Sequence, residues 1–309
     1  MIRAPTDDAI DAAAERLARG DLVGLPTETV YGLAADAANA EAVALVFARK
    51  GRPAFNPLIV HAGPDADPNE VAHLSEAGRA LLHAFAPGPI TLVLPHRGRL
   101  PDAVTGGLPT LALRVPAHPV AQSLLRAHGG FLVAPSANPS GGVSPTTAAH
   151  VAESFPELLV LDGGPCAFGV ESTIVGLAGV APTLLRPGAL TREAIEAVLG
   201  RPLGAPGGGV QAPGMLTSHY APRARVRLNA LDTRPGETLL GFGGTPGAAL
   251  DLSASGDLAE AAANLFAMLR QLDGAAAVIA VAPVPGHGLG AAINDRLRRA
   301  AAPREDVPA

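Results

Sequence analysis

The chain has 309 residues, 48% of them hydrophobic and 17% charged, with a formal net charge of −5 at pH 7. This length exceeds one compact core and suits two domains, and the apolar content excludes a disordered chain. No apolar run reaches the roughly 18–20 residues that span a bilayer, and the acidic excess falls within residues 1–205, which argues against a general nucleic-acid binder.

The first residues, from Met1 to Thr6, lack an apolar signal core, so a cytoplasmic protein is expected. Cys166 is the only cysteine, so no internal disulfide can form. Lys50 is the only lysine among 23 basic residues. A lysine kept where every other cation is arginine points to a need for a compact ammonium.

Taken in order, the elements alternate between helix and strand. A helix is expected over 7–19, capped by Thr6 with Asp7, Asp8 and Asp11 near its positive end. A short strand over 21–25 ends at Pro26, and the segment that follows reads as a loop. A helix over 40–50 is stopped by Gly51 and Pro53. Then come a buried-type strand at 58–61, a helix near 76–86, strands near 90–94 and 111–115, a helix over 117–128 and a strand at 131–134. Ser144-Pro145 reads as the start of a helix with proline in its first turn. Strands near 158–161, 172–177 and 183–186 precede a helix capped by Thr191. Residues 201–224 have the Pro/Gly content of a linker. Beyond it, strands near 225–228, 237–242 and 276–282 with helices near 257–272 and 290–301 predict a small, mostly parallel sheet, and the tail from Pro303 reads as frayed. The expected organisation is 1–205, a linker over 206–224, and 225–309.

Five clusters carry chemistry. Pro26-Thr27-Glu28-Thr29-Val30-Tyr31-Gly32-Leu33 packs hydroxyls, a carboxylate and a phenol into a few residues. Lys50-Gly51-Arg52 sets two cations about a glycine, which suits a polyphosphate, with Pro57-Leu58-Ile59-Val60-His61 following. It is not a Walker loop. Ala134-Pro135-Ser136-Ala137-Asn138-Pro139-Ser140-Gly141 ends a strand in small polar groups, and with a helix starting near Ser144 it would form an anion site. Glu171-Ser172-Thr173-Ile174-Val175 and Leu185-Arg186-Pro187-Gly188 are weak signals alone.

In this order, together with Pro87-Gly88-Pro89-Ile90 and Leu113-Arg114-Val115-Pro116, these motifs resemble the YrdC-like family. Ser218-His219-Tyr220-Ala221-Pro222 and Gly288-Leu289-Gly290-Ala291-Ala292-Ile293-Asn294-Asp295-Arg296 resemble its long, two-domain threonylcarbamoyl-AMP synthases. The resemblance implies an α/β (α+β) fold: a twisted mixed sheet with helices around a positively lined cavity, plus a small Rossmann-like C-terminal domain. It implies synthesis of threonylcarbamoyl-AMP from ATP, L-threonine and bicarbonate with release of pyrophosphate, the first step of a tRNA modification next to the anticodon that is completed by a downstream threonylcarbamoyl transferase machinery. By that likeness Thr29, His61, Arg114, Ala134 and Ser172 would hold threonine. Lys50, Arg52, Asn56, Thr110, Ser136, Asn138, Ser144, Arg186 and Tyr220 would hold ATP, with Lys50 and Arg52 catalytic and magnesium (Mg2+) bridging the phosphates. A bare module of this kind also reads as an RNA-binding or ribosome-maturation factor, but the acidic charge and the second domain count against that. Ser218-His219-Tyr220 is more polar and aromatic than a tether needs, so the linker is expected to fold over the nucleotide site as a lid.

Overall fold

Local signals set most helix ends. In the computed structural model, which describes residues 1–303, Thr6 accepts a hydrogen bond from the Ala9 N–H and starts the first helix. Pro119 occupies the first turn of another, and Thr191 caps a third. The first unit runs β1 (Ile2–Arg3), α1 (Asp7–Ala18), β2 (Val23–Leu25), β3 (Gly32–Asp36), α2 (Ala40–Lys50), β4 (Ile59–His61), α3 (Glu76–Phe85), β5 (Ile90–Pro95), α4 (Asp102–Thr105), β6 (Thr110–Arg114), α5 (Pro119–His128), β7 (Leu132–Val133), α6 (Ala148–Ser154), β8 (Leu159–Leu161), β9 (Thr173–Gly176), β10 (Thr183–Arg186) and α7 (Arg192–Leu199). Residues 200–224 contain no further strand or helix. The second unit is β11 (Arg225–Arg227), β12 (Glu237–Gly241), β13 (Leu250–Asp251), α8 (Leu258–Leu272), β14 (Val278–Val281) and α9 (Gly290–Ala301).

The first ten strands form one mixed sheet in the order β1-β8-β2-β3-β7-β4-β6-β5-β9-β10. One group of side chains packs Val43 and Val46 of α2, Leu81 of α3, Val151 of α6 and Ile195 of α7 against it. A second packs Ala13 and Leu17 of α1 with Leu124 and Leu125 of α5. Helices thus flank the sheet, whose inner strands are apolar along most of their length, as burial on both faces requires. The last four strands make a second, all-parallel sheet in the order β11-β14-β12-β13.

Two expectations are corrected. Residues 32–36 are a strand, antiparallel to both β2 and β7, and not a loop. No helix starts at Ser144-Pro145: the Pro145 carbonyl accepts the Tyr31 N–H, and α6 begins after Thr147, whose side chain caps it. With only seven residues and its own cap, α6 offers no anion site at Ser144. The frayed tail expected beyond Pro303 lies outside the described residues.

The two units share a core. Val30, Val143, Val170 and Ala189 of the first pack with Leu265, Phe266, Leu269 and Ile293 of the second. Arg270 on α8 donates to the carbonyls of Val143 and Ser144. Gly169, at φ +64°, is pressed against α8 so closely that a Cβ there would lie 2.4 Å from the Ala263 carbonyl oxygen. Gly200 has the same φ with nothing within 4 Å, so it isolates the backbone cost. Gly200→Ala should lose about 1 kcal/mol of unfolding free energy. Gly169→Ala should lose a further 1–3 kcal/mol, roughly, because the seam between the units must open. Equal losses in urea denaturation would contradict this docking.

Candidate active site

The site is built at strand ends. Beyond β2, Thr27 closes a turn: its hydroxyl donates to the Val30 carbonyl at 2.6 Å and accepts the N–H groups of Thr29 and Val30. That turn fixes Glu28 and Thr29. Arg114 ends β6 and meets both: Nη1 donates to Thr29 Oγ1 at 2.8 Å and Nη2 to Glu28 Oε1 at 2.7 Å. His61 ends β4 directly beside Arg114 in the parallel ladder. Its Nδ1 lies 3.1 Å from the Ile59 carbonyl, an acceptor, so the proton sits on Nδ1 and Nε2 keeps a free lone pair. Ser172, just before β9, pairs with Thr91 at 2.7 Å and accepts from Arg186 at 3.2 Å. Tyr31 turns away from this group, donating to the Gly164 carbonyl.

A small cavity, of roughly 50 Å³, opens among these groups. Thr29, His61, Arg114, Ala134 and Ser172 all line it, and so do Arg52, Ser136, Arg186 and Tyr220. Other expected ATP residues stand behind the wall. Lys50 donates to the carbonyls of Ser136 and Asn138, both at 2.6 Å. Asn56 accepts from Arg52 at 2.7 Å, the Asn138 amide holds the carbonyls of Pro139 and Gly142, and Ser144 donates to Glu171 at 2.6 Å. Thr110 starts the strand that Arg114 ends, about 13 Å away along β6. It does not line the cavity.

Charge is unevenly matched here. Lys50, Arg52, Arg114, Arg186 and Arg296 are all buried. Arg114 pairs with Glu28, and Arg296 with Glu171 and Asp295. Among the described residues no carboxylate lies within ion-pair distance of Lys50, Arg52 or Arg186. Arg52 donates to the carbonyls of Asn56 and Pro57, and Arg186 to those of Ser172 and Pro213. Burial depresses all three, and neighbouring cations add to it: Lys50 falls well below the ordinary lysine value and Arg52 to about 10. Three buried cations satisfied only by neutral dipoles are costly unless an anion joins them. Glu28 behaves oppositely. Burial alone would raise its carboxyl, but Arg114 outweighs that and holds it below the usual range. Burial pushes the Cys166 thiol up to about 12, so it is no nucleophile.

The linker closes the cavity. Tyr220 is fully buried, stacks 5.5 Å from Phe266, and sits at φ +60°, a conformation that a bulky residue holds only when its surroundings impose it. Gly214, at φ +79°, passes so near that a Cβ would lie 2.6 Å from the Tyr220 hydroxyl and 2.9 Å from Arg186 Nη1. The Tyr220 hydroxyl and His219 Nδ1 are buried without a partner among the described residues. Glu28, Glu171 and Arg296 belong to this site although no role was expected of them. The first two stand inside the motifs, and Arg296 closes the Asn294-Asp295-Arg296 run.

A sheet-end cavity lined by buried cations and small polar groups has the form of an α/β enzyme site. Comparison with known proteins gives the family. A family model described as "Telomere recombination" matches residues 15–188, and one described as "Threonylcarbamoyl-AMP synthase, C-terminal domain" matches 190–302. The chain is 40% identical to a threonylcarbamoyl-AMP synthase of Pyrococcus abyssi (94% of this chain, 93% of that one) and 39% identical to one of Bacillus subtilis (96% and 94%). Its fold superposes on P. abyssi Sua5 complexed with L-threonine with a TM-score of 0.89 and 38% identity, covering 97% of this chain and 96% of that one. The chain therefore belongs to the two-domain threonylcarbamoyl-AMP synthase family.

Burial, with nearby cations adding to it, drives His61 and His219 down to about 3. Each ring is neutral in the folded chain, yet unfolded histidine titrates near 6.5, so the unfolded state binds more protons between those values and stability falls as pH drops through 6.5. Each histidine should remove about 2 kcal/mol between pH 7 and pH 5. His219→Asn should shrink that pH-dependent loss by about 2 kcal/mol, whatever its absolute stability. An unchanged difference between the two pH values would contradict the assignment.

Proposed function

We propose that this chain joins L-threonine, bicarbonate and ATP into L-threonylcarbamoyl-AMP with release of pyrophosphate, the activated intermediate for threonylcarbamoyladenosine formation in tRNA. The observation that supports this most is the trio of buried cations without carboxylate partners among the described residues, Arg52 and Arg186 lining the cavity and Lys50 behind its wall, beside a corner of Thr29, His61, Ser172 and the Arg114–Glu28 pair. The trio suits a polyphosphate; the corner suits a zwitterion of threonine's size. P. abyssi Sua5, of the same fold, is described in complex with L-threonine.

In this reading the threonine carboxylate sits on Arg114, which trades its bonds to Thr29 and Glu28 for a bidentate pair. The threonine nitrogen bonds to the bicarbonate carbon with loss of water, and an oxygen of the carbamate then attacks the α-phosphorus: the new O–P bond forms as the bond to the bridging oxygen breaks, and its electron pair leaves with pyrophosphate. Arg52 and Arg186 meet the growing charge, while Lys50 braces the Ser136–Asn138 backbone. No protein nucleophile is needed, so positioning and charge stabilisation do the work. Magnesium enters as part of the nucleotide substrate. Among the described residues no cluster of three or more metal-ligating groups exists, and the oxygens of Glu171, the cavity's one carboxylate, are bonded to Ser144 and Arg296. Tyr220 and Gly214 would keep water from the labile mixed anhydride. The product would pass to an enzyme that transfers its acyl group to tRNA. Among the described residues no helix is long and apolar enough to cross a membrane, and the substrates fit a cytoplasmic site of action.

Pyrophosphate release should require ATP, threonine and bicarbonate together; release that ignores threonine would defeat the reading. Arg186→Ala should lower kcat/KM for ATP roughly 100-fold or more. Lys50→Ala is a poorer probe, since orphaning two buried carbonyls costs about 2 kcal/mol or more of stability. Valine, which cannot satisfy hydroxyl-binding groups, should turn over far more slowly than threonine, whereas serine, short by one methyl, should lose only about 1 kcal/mol. Equal turnover of valine and threonine would refute the pocket's assignment.

A further inference from the structure

Arg296 heads the large side chains that are completely buried, at 0% exposure. It belongs to α9 of the second unit, yet its guanidinium lies inside the first unit's site. Nε donates to Glu171 Oε2 at 2.7 Å, Nη1 donates to Asp295 Oδ2 at 2.7 Å, and the guanidinium carbon stands 5.0 Å from the centre of the Tyr220 ring. Nη2 is buried with no partner among the described residues. The next turn of α9 holds the linker itself: Arg299 binds Asp295, donates to the Leu216 carbonyl, and accepts the His219 N–H on its own carbonyl at 3.2 Å. One helix therefore touches both the lid and the carboxylate at the cavity wall.

Glu171 is the reason this matters. It lines a cavity whose cations are arranged for an anion, and Arg186 stands close enough to influence its charge. Burial alone would push its carboxyl up, but Arg296 first and then Arg186 pull it below the ordinary value, so it stays ionised. An ionised carboxylate facing a polyphosphate is repulsive unless something cancels it. The hydroxyl of Ser144 is a neutral donor; in the described structure the one formal charge in ion-pair contact with Glu171 is that of Arg296.

We propose that Arg296 is a positioning residue of the synthase reaction: by neutralising Glu171 and backing Tyr220, it makes the second unit a part of the polyphosphate site. The proposal rests on the ATP reading above. In this view the second unit supplies the counter-charge that lets a carboxylate stand in the wall of an anion cavity, and the first unit's affinity for ATP depends on α9 being docked.

The test is ligand binding by titration calorimetry on the full chain, with rescue. Arg296→Gln should weaken ATP at least tenfold, AMP by a smaller factor, and L-threonine little, because repulsion from Glu171 grows with phosphate charge. Adding Glu171→Gln to that variant should restore ATP binding to within about threefold, since the amide keeps the size and loses the charge. Arg296→Lys, which keeps the charge, should stay within a few-fold of the wild type; a tenfold loss of ATP binding in that variant would overturn the proposal even where Arg296→Gln does not fold. A merely structural role for Arg296 would give losses that are equal for ATP and AMP and that deepen in the double variant; either result overturns the proposal. A wild-type chain that binds no ATP would instead overturn the ATP reading, and a wild-type chain that binds ATP no better than Arg296→Gln would overturn the proposal alone.

Discussion

Unmatched positive charge, buried around the cavity, is the constraint around which this molecule is organised. Lys50, Arg52 and Arg186 are each nine-tenths or more buried, and none has a carboxylate partner among the described residues. Isolated charges do not persist in protein interiors without compensation. Here part of it comes from backbone carbonyls, which solvate the cations without cancelling them. Lys50 holds two carbonyls of the 136–138 loop, Arg52 holds those of Asn56 and Pro57, and Arg186 holds that of Ser172. The cavity is thereby lined by cations without carboxylate partners, which the proposed stabilisation of a leaving polyphosphate requires.

The same constraint accounts for the second unit. A cavity that must exclude water needs a cover, and the cover here is a strained one. Tyr220 at positive φ and Gly214 packed against it are held down by Phe266, Arg296 and Arg299 from α8 and α9. Strain of this kind, typically 1–3 kcal/mol, persists only when neighbours over-determine it. The apolar seam from Val30 and Val170 to Leu265 and Phe266 supplies that over-determination. The second sheet contributes no residue to the cavity lining. Its part is to carry the helices that hold the linker in place.

Much of the architecture was legible in the sequence because its signals are local. Thr6 and Thr191 start helices, and Lys50 is followed by Gly51 in the left-handed conformation. β3 was not legible: Gly-Leu-Ala-Ala-Asp has little strand preference of its own, and pairing with β2 and β7 decides it. Ser144-Pro145 misled for the converse reason. The dipeptide has the chemistry of a helix start, but Tyr31 takes its carbonyl from across the fold and Glu171 takes the hydroxyl. At the site, ordered motifs pointed to Thr29, His61, Arg114 and Ser172, all of which the fold brings to one cavity. They could not show that Lys50 faces carbonyls, that Thr110 lies at the other end of its strand, or that Arg296 crosses from one unit into the other. In sequence Arg296 is one arginine of three near the end of a helix with a polar face. Its depth comes only from docking.

The most direct test of this account is the effect of polyphosphate on stability. Chemical denaturation of the full chain should be measured with ATP, inorganic tripolyphosphate and adenosine, all at one concentration, about 100 times the Kd measured for ATP. If surplus buried charge is what the cavity presents, ATP and tripolyphosphate should both stabilise, ATP by about 2.7 kcal/mol. Because the site is buried, moderate salt should weaken the effect only partly. Adenosine at the concentration that saturates ATP should do little. Stabilisation by adenosine equal to that by ATP, or none by tripolyphosphate, would contradict the claim that unmatched cations define the site.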